Sequence, residues 1–222
     1  MPRRPRFAPP NYTYHIMTRG NNKQNIFFQE QDYIYYLKLL EKYKKQCGFL
    51  VYHYVLMPNH VHIMGEQTKE NQMSWLMKHV NASYALFFRK KYGGIGHFWQ
   101  DRFKSIPIFD ESYHLKCASY IELNPLEAML VKSPREYEWS SYKVYAFGEQ
   151  NPVINIDPIY QLFGEDAGKR KNNYMNFINT IAKHDAQKLE KDLLDDKIQR
   201  LQERIHFMLI YHRPSLTPPS PC

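Results

Sequence analysis

Residues 54–64 of this chain read YVLMPNHVHIM, two runs of strand-forming residues with Pro58-Asn59 between them. Proline and asparagine favour tight turns, so the segment is predicted to form two strands joined by a short turn. Side chains alternate along a strand, which places His60 and His62 on one face with their Cα atoms roughly 6.5–7 Å apart. Both imidazoles could then reach one divalent ion and leave most of its coordination sphere open to substrate. A pair of ordinary strand histidines is the alternative interpretation.

The hydrophobic pattern on either side of this segment predicts the element order β-α-β-β-α-β-α. Strands are predicted at 12–18, at 49–57, from His60 onward and at 104–109, and helices at 31–46, 71–92 and 111–123. The third helix is expected to end before Pro125, because the residue preceding a proline disfavours helical geometry. Without that helix, the order is the split β-α-β topology of ferredoxin-like domains. We therefore predict an α+β fold, a ferredoxin-like antiparallel sheet with helices packed on one face and the other face left for a ligand.

Four segments are predicted along the chain. Residues 1–10, rich in proline and arginine, form a flexible basic arm, and residues 11–147 form the domain that carries the two histidines. Residues 148–212 form a helical C-terminal extension, in which apolar residues at 185–209 recur at spacings of four and three and predict a helix. Residues 213–222 are rich in proline and serine and are expected to be disordered.

Composition narrows the class of protein. The formal net charge is +8, and 15% of the residues are aromatic, a combination that suits phosphate neutralisation and base stacking on single-stranded nucleic acid. The three cysteines are odd in number and include no CxxC, which argues against a disulfide framework and a structural zinc site. We found no apolar run long enough to cross a membrane and no signal-peptide core, so we expect a cytoplasmic protein with no membrane partner.

Tyr120 and Asn124 are four residues apart in the predicted helix 111–123 or directly after it, and therefore share one helical face. A phenol and an amide oxygen would project toward the same point, the first as a nucleophile and the second as a third metal ligand. Packing of an aromatic helix face in the core is the alternative. Spacing alone does not place this helix near His60 and His62.

Four short blocks stand in order along the chain at residues 57–63, 96–104, 120–125 and 139–142, and they read MPNHVHI, GHFWQDRFK, YIELNP and WSSY. Together they resemble the successive signatures of single-tyrosine HUH transposases. Within that group the chain is most similar to REP-associated tyrosine transposases, domesticated relatives of small insertion-sequence transposases. The resemblance covers roughly residues 10–145, and the region from about residue 148 onward matches none of these blocks.

The resemblance implies that residues 11–147 are the HUH catalytic domain, that His60 and His62 are metal ligands and that Tyr120 is the catalytic tyrosine. Asn124 occupies the position where relatives have a third, polar ligand, and the implied ion is Mg²⁺ or Mn²⁺. The implied activity is that of a metal-dependent single-stranded DNA endonuclease and strand transferase, which cleaves near DNA hairpins through a covalent 5′-phosphotyrosine. The resemblance favours a monomer and leaves a homodimer open.

Candidate DNA-binding residues are the cationic and aromatic side chains near these blocks and in the arm: Arg102, Lys104, Trp99, Arg3, Arg4 and Arg6. The arginines and the lysine suit phosphate or groove contacts, and the tryptophan suits stacking on a base. A solvated strand edge, packing within the loop and an unengaged arm are the respective alternatives.

Two other functions are compatible with the fold. One is a non-catalytic DNA-hairpin-binding regulator that retains the transposase fold, although every residue that the chemistry needs is present. The other is a histidine-based phosphodiesterase acting on RNA. That chemistry needs a second histidine motif of matching type across a cleft, and we find none in the sequence.

Overall fold

The computed structural model of the protein describes residues 8–183. Its strands are β1 Tyr12–Arg19, β2 Leu50–Met57, β3 His60–Gln67 and β4 Lys104–Ile108. Its α-helices are α1 Glu30–Cys47, α2 Gln72–Tyr92, α3 Glu111–Glu127, α4 Tyr142–Phe147 and α5 Ala167–Lys183, with 3-10 turns at Asn21–Lys23, Pro134–Glu136 and Pro158–Phe163. All strand pairs are antiparallel and the order is β2-β3-β1-β4. This is the ferredoxin-like order, and the predicted fold class is confirmed.

Helices α1 and α2 pack together on one face of the sheet and bury the main core. Every second strand residue points to this face, for example Ile16 on β1 and Ile63 on β3, where they meet Leu40 of α1 and Leu76 of α2. Each such fully buried aliphatic side chain contributes about 1.5–3 kcal/mol of transfer free energy. The predicted bounds of these two helices differ from the structure by one residue at most at each end.

Helix α3 lies on the opposite face of the sheet, over β2 and β3. Its residues Cys117 and Ile121 pack against Val55, Met57 and Met64, which alternate with the residues of the main core. The face expected to be left for a ligand is therefore partly covered by α3. This placement is what brings the helix with Tyr120 across the strand with the two histidines.

The prediction that this helix ends before Pro125 is wrong, because α3 continues to Glu127 with the proline inside it. Proline in a helix removes one N–H donor and crowds the preceding turn. The following backbone still bonds normally, since Ala128 N–H donates to the Asn124 carbonyl and Leu130 N–H donates to the Pro125 carbonyl at 3.0 Å each. Pro125 is itself buried, and Leu123, two residues earlier, packs in a further apolar cluster, so tertiary packing offsets the loss.

The described part of the C-terminal extension packs onto α3. Tyr145 of α4 and Tyr174 and Ile178 of α5 form an apolar cluster with Leu123 of α3, and Val153 in the loop between them joins the main core. The predicted helix at 185–209, the tail at 213–222 and the arm arginines Arg3, Arg4 and Arg6 lie outside the described residues.

The two edge strands of the sheet differ in how their outer backbone N–H and C=O groups are covered. Residues 139–141 run alongside β2, where Leu56 N–H donates to the Trp139 carbonyl at 2.8 Å and Ser141 N–H donates to the Tyr54 carbonyl at 3.0 Å. The opposite edge is β4, five residues long and containing Pro107, which has no N–H to donate.

Candidate active site

The two histidines of the His-Val-His segment lie on the face of the sheet that α3 covers. His62 is directly opposite Val55 on β2 and Met17 on β1, and His60 is opposite Met57 and Arg19. Their ring centroids are 4.9 Å apart. His62 is 2% exposed, whereas His60, at the beginning of β3, is half-buried.

A third histidine, which the sequence analysis did not connect to this pair, orients His62. His15 on β1 shares a hydrogen bond with His62, with 2.8 Å between His15 Nε2 and His62 Nδ1. The other ring nitrogen, His62 Nε2, is buried and has no hydrogen-bond partner among the described residues. Metal-ligating histidines commonly bind the ion through one nitrogen while a partner holds the other, and His62 is arranged in this way.

Both candidate ligands are uncharged at neutral pH. Burial lowers the pKa of His62 well below its ordinary value, and the nearby charges of His15, His60 and Arg19 lower it further. Burial and the Arg19 guanidinium likewise lower the pKa of His60 to about 4, against a hydrogen bond with Asn124 that acts in the other direction. A neutral imidazole has a lone pair to donate, so neither histidine must lose a proton before it binds a cation.

Tyr120 and Asn124 of α3 both meet the histidines, as the shared helical face requires. The Tyr120 ring centroid lies 5.4 Å from that of His62 and 6.1 Å from that of His15. The Asn124 side chain lies close enough to His60 to act on the pKa of that imidazole. Tyr120 is only partly buried, so a substrate can approach it. The structure thus brings four predicted residues from two distant parts of the sequence together at one place: His60, His62, Tyr120 and Asn124.

The donors present fit a divalent cation. The described residues contain no group of three or more His, Cys, Asp or Glu side chains that would hold one. Two imidazoles and the Asn124 amide oxygen offer three donors instead. A bound ion would also give the buried Nε2 of His62 the partner that it does not have among the described residues. Such a set leaves other positions of an octahedral ion for water or for phosphate oxygens.

A buried polar cluster holds α3 in this position, and we call it the α3 clamp. It joins Glu122 of α3 to His53 of β2 at 2.9 Å, and His53 to Asp157 at 3.2 Å. Asp157 also accepts a hydrogen bond from His114 of α3 at 2.5 Å, and the Ser141 hydroxyl donates to Glu122 at 2.7 Å. The α3 clamp therefore contacts α3 at two points, two turns apart, one of them two residues from Tyr120.

Charge is retained inside the α3 clamp. Burial alone would lower the pKa of His53, but hydrogen bonds to Asp157 and Glu122 and their negative charges raise it to about 9. Burial would raise the pKa of Asp157, but hydrogen bonds from His114 and His53 hold it below its ordinary value. His53 is therefore protonated and Asp157 is ionised at neutral pH. Each buried charge has an opposite charge beside it, which compensates for its removal from water.

Arg19 is a second residue that the sequence analysis missed. It lies opposite His60 at the end of β1, its Nε is buried without a hydrogen-bond partner among the described residues, and its charge reaches both histidines. Strand alternation places His15 and Arg19 on one face of β1. That face can be recognised as the side of the site only once the register of β1 against β3 is known.

The other predicted DNA-binding residues lie around the same end of the sheet. Lys104 is exposed on β4, opposite Met17 and on the face of His62. Arg102 is exposed in the loop before β4. Trp99 is half-buried, and its Nε1–H donates to the Asn81 carbonyl at 2.9 Å, so part of its role is to pack the loop against α2.

Fold and site together define a ferredoxin-like domain in which a tyrosine-bearing helix lies across a paired-histidine strand. The chain belongs to the family of IS200-like transposases, whose sequence profile matches residues 9–124, just over half of its length. A solved REP-associated tyrosine transposase bound to a REP hairpin is similar in structure, with a TM-score of 0.53 and 18% sequence identity over 71% of this chain and 93% of that one. Comparison with curated proteins gave no match. No helix among residues 8–183 is long and apolar enough to cross a membrane.

Proposed function

We propose that the protein is a metal-dependent single-stranded DNA endonuclease and strand transferase, with Tyr120 as its nucleophile. The observation that carries the proposal is the position of the Tyr120 ring, 5.4 Å from the ring of His62, on a helix that also brings Asn124 to His60. Membership of a transposase family agrees with this chemistry.

In the proposed reaction, the Tyr120 phenolic oxygen attacks phosphorus in the DNA backbone. The bond from phosphorus to the 3′ oxygen breaks, and the new bond from phosphorus to the phenolic oxygen gives a 5′-phosphotyrosine. The phenol loses its proton to solvent, and the departing 3′ oxygen takes up a proton from solvent to become a 3′-OH. The tyrosine ester keeps the energy of the phosphodiester, so a second 3′-OH can reverse the step and join strands without a nucleotide cofactor. Attack by water would instead hydrolyse the strand and lose the intermediate.

Phenols, with an ordinary pKa of about 10, are weak nucleophiles at neutral pH, so the attack on phosphorus needs help from other groups. A divalent cation bound by His60, His62 and Asn124 would supply charge neutralisation for the phosphate oxygens. Mg²⁺ and Mn²⁺ are the proposed ions, and two imidazole ligands favour Mn²⁺ over Mg²⁺. Among residues 8–183, Arg19 lies beside His60 and would hold the phosphate through charge-assisted hydrogen bonds.

The proposed substrate is a DNA hairpin with a flanking single strand. The formal charge of +8 suits a polyanion, and the structurally similar transposase was solved with a REP hairpin. The proposed active species is a monomer. In support, α3 lies over the sheet of its own chain, and Asp157 and His53 of the α3 clamp come from that same chain.

The test is a cleavage assay with end-labelled hairpin oligonucleotides and Mn²⁺. Wild type should form a DNA adduct that survives denaturing electrophoresis, and Tyr120→Phe should form none while binding the hairpin with unchanged affinity. Tyr12→Phe is the control, because it removes an exposed phenol at the start of β1, and it should cleave like wild type. An adduct in Tyr120→Phe would remove Tyr120 from its role, and binding without cleavage by wild type would favour a regulator.

A further inference from the structure

The C-terminal extension supplies Asp157 to the α3 clamp and thereby contacts α3 on both sides of Tyr120. The Asp157 carboxylate accepts a hydrogen bond from His114 of α3 at 2.5 Å. It also lies 3.2 Å from His53 of β2, whose other ring nitrogen lies 2.9 Å from Glu122 of α3. His114 precedes Tyr120 by six residues and Glu122 follows it by two. The extension therefore holds the helix with the candidate nucleophile at two points.

The loop that carries Asp157 is itself bonded to the main domain. Two residues earlier, Asn155 N–H donates to the Val51 carbonyl at 2.7 Å, and the Asn155 side-chain oxygen accepts from Val51 N–H at 3.2 Å. The same oxygen accepts from Lys44 Nζ at 2.6 Å. Val51 lies on β2 and Lys44 lies in the last turn of α1. Asp157 is therefore held by two elements other than α3 and can act as a fixed point for that helix.

The α3 clamp and the candidate active site lie on different sides of α3. With 3.6 residues per turn, Asn124 lies about 40° around the helix axis from Tyr120. His114 and Glu122 lie about 120–160° from Tyr120. Ile121 lies between the two sides and packs on the sheet through apolar contacts, which have no preferred direction. Hydrogen bonds do have one, so the α3 clamp fixes the angle of the helix about its own axis where apolar packing alone would let it roll.

A small roll of α3 is enough to misplace the nucleophile. The side-chain surface of a helix lies about 5–6 Å from its axis, so a roll of about 10° moves a group there by about 1 Å. A misplacement of about 1 Å can slow a reaction on the order of 100-fold when the reacting groups must be aligned. Pro125 adds to this sensitivity, because it has no N–H for the Ile121 carbonyl and leaves one intrahelical bond fewer beside Tyr120.

We propose that the C-terminal extension is a positioning element for strand cleavage, in which Asp157 fixes the angle of α3 at which Tyr120 meets the paired histidines. His53 and His114 are buried and carry this effect from the extension to the helix. All three are positioning residues, since they act on the reaction only through Tyr120. The inference rests on the proposed function for the role of Tyr120. A contribution to stability alone is the competing explanation.

The first experiment measures where the Tyr120 ring lies, without DNA or metal. That ring is 5.4 Å from the ring of His62, so its ring current shifts the NMR signals of the His62 imidazole. Asp157→Asn removes the charge of the clamp residue and keeps nearly the same side-chain shape. It should move the His62 signals at pH 7 and leave those of His79, on α2, unchanged. Unchanged His62 signals would overturn the proposal.

Leu76→Ala is the control for stability. Leu76 is fully buried in the main core, on the other face of the sheet from α3, and its truncation destabilises the protein about as much as the loss of one partner of a buried ion pair. The His62 signals should stay in place in this variant. A His62 shift of equal size in Leu76→Ala would show that any loosening of the fold moves the ring, and it too would overturn the proposal.

The second experiment separates the rate of cleavage from binding. At saturating hairpin, and below the melting transitions of the variants, Asp157→Asn should cleave about ten-fold or more slowly than wild type and bind the hairpin with unchanged affinity. Leu76→Ala should cleave like wild type, and so should Glu165→Gln, which removes an exposed carboxylate of the extension. A rate loss shared by Leu76→Ala, or a wild-type rate in Asp157→Asn, would contradict the inference. Absence of cleavage by wild type would contradict the proposed function instead, and the NMR signals would still decide whether Asp157 positions α3.

Discussion

Replacement of Asp157 by alanine is expected to destabilise the protein strongly. Asp157 is 2% exposed, and its carboxylate accepts hydrogen bonds from His53 and His114. The substitution leaves a protonated His53 with Glu122 alone and removes the acceptor of His114. Breaking a buried ion pair from one side costs about 3–5 kcal/mol, because the remaining partner loses its compensation.

The loss should be visible as a fall in melting temperature. For a chain of this size, each kcal/mol corresponds to about 2–4 °C, so Asp157→Ala should melt about 6–20 °C below wild type. Calorimetry or circular dichroism of the full chain at pH 7 measures the shift. Glu165→Ala removes a carboxylate whose side chain is 95% exposed, and it should melt within about 2–4 °C of wild type.

The pH dependence gives an independent check. The folded pKa of His53, about 9, is above the ordinary value of 6.5, so its stabilisation is complete below pH 6.5 and is lost as the pH rises through 9. This linkage amounts to about 3 kcal/mol. The stability difference between wild type and Asp157→Ala should therefore shrink over that interval, and other titrating groups such as Lys44 are common to both proteins. An Asp157→Ala variant that melts with wild type at pH 7, or a difference independent of pH, would refute the reasoning.

Three other changes test the site and the sheet. His62→Ala should abolish the rise in melting temperature that Mn²⁺ gives wild type, because it removes the buried ligand nitrogen; an unchanged rise would place the ion elsewhere. Arg19→Ala should slow cleavage about ten-fold or more and Arg19→Lys less, in line with about 1.5–3 kcal/mol for a hydrogen bond to a charged group, and equal rates in all three proteins would exclude a phosphate contact. Gly65→Ala should lower the free energy of unfolding by about 1–3 kcal/mol or more, since its Cβ would lie 2.2 Å from the Leu50 carbonyl oxygen. An unchanged urea midpoint would show that β2 can move aside.

Local patterns in the sequence were sufficient to predict the sheet and part of the candidate site. Strand alternation placed His60 and His62 on one face, and helical spacing placed Tyr120 and Asn124 on another, because both relations depend only on nearby residues. That the two pairs meet followed from resemblance to a family, since no local rule says which face of the sheet a third helix will cover.

The remaining features depend on contacts between distant parts of the chain. The hydrogen bond between His15 and His62 depends on the register of β1 against β3. The hydrophobic pattern does not determine that register fully, because a slip of two residues keeps every side chain on the same face. Asp157 lies 104 residues after His53, so nothing local connects them. The helix ran past Pro125 because burial of its last turn outweighed a local rule, a common reason for misplaced helix ends.

The way in which the two edge strands of the sheet are protected affects how two molecules of this protein can associate. A free strand edge is a template on which a second molecule can add its own strand. Residues 139–141 already occupy the template along β2, and the short β4 with Pro107 is a poor one. Intermolecular β-sheet growth, whether as a paired dimer or as an early aggregate, is therefore disfavoured at both edges of the described sheet. Between residues 8 and 183, helices and loops are the better surfaces for contact between two copies.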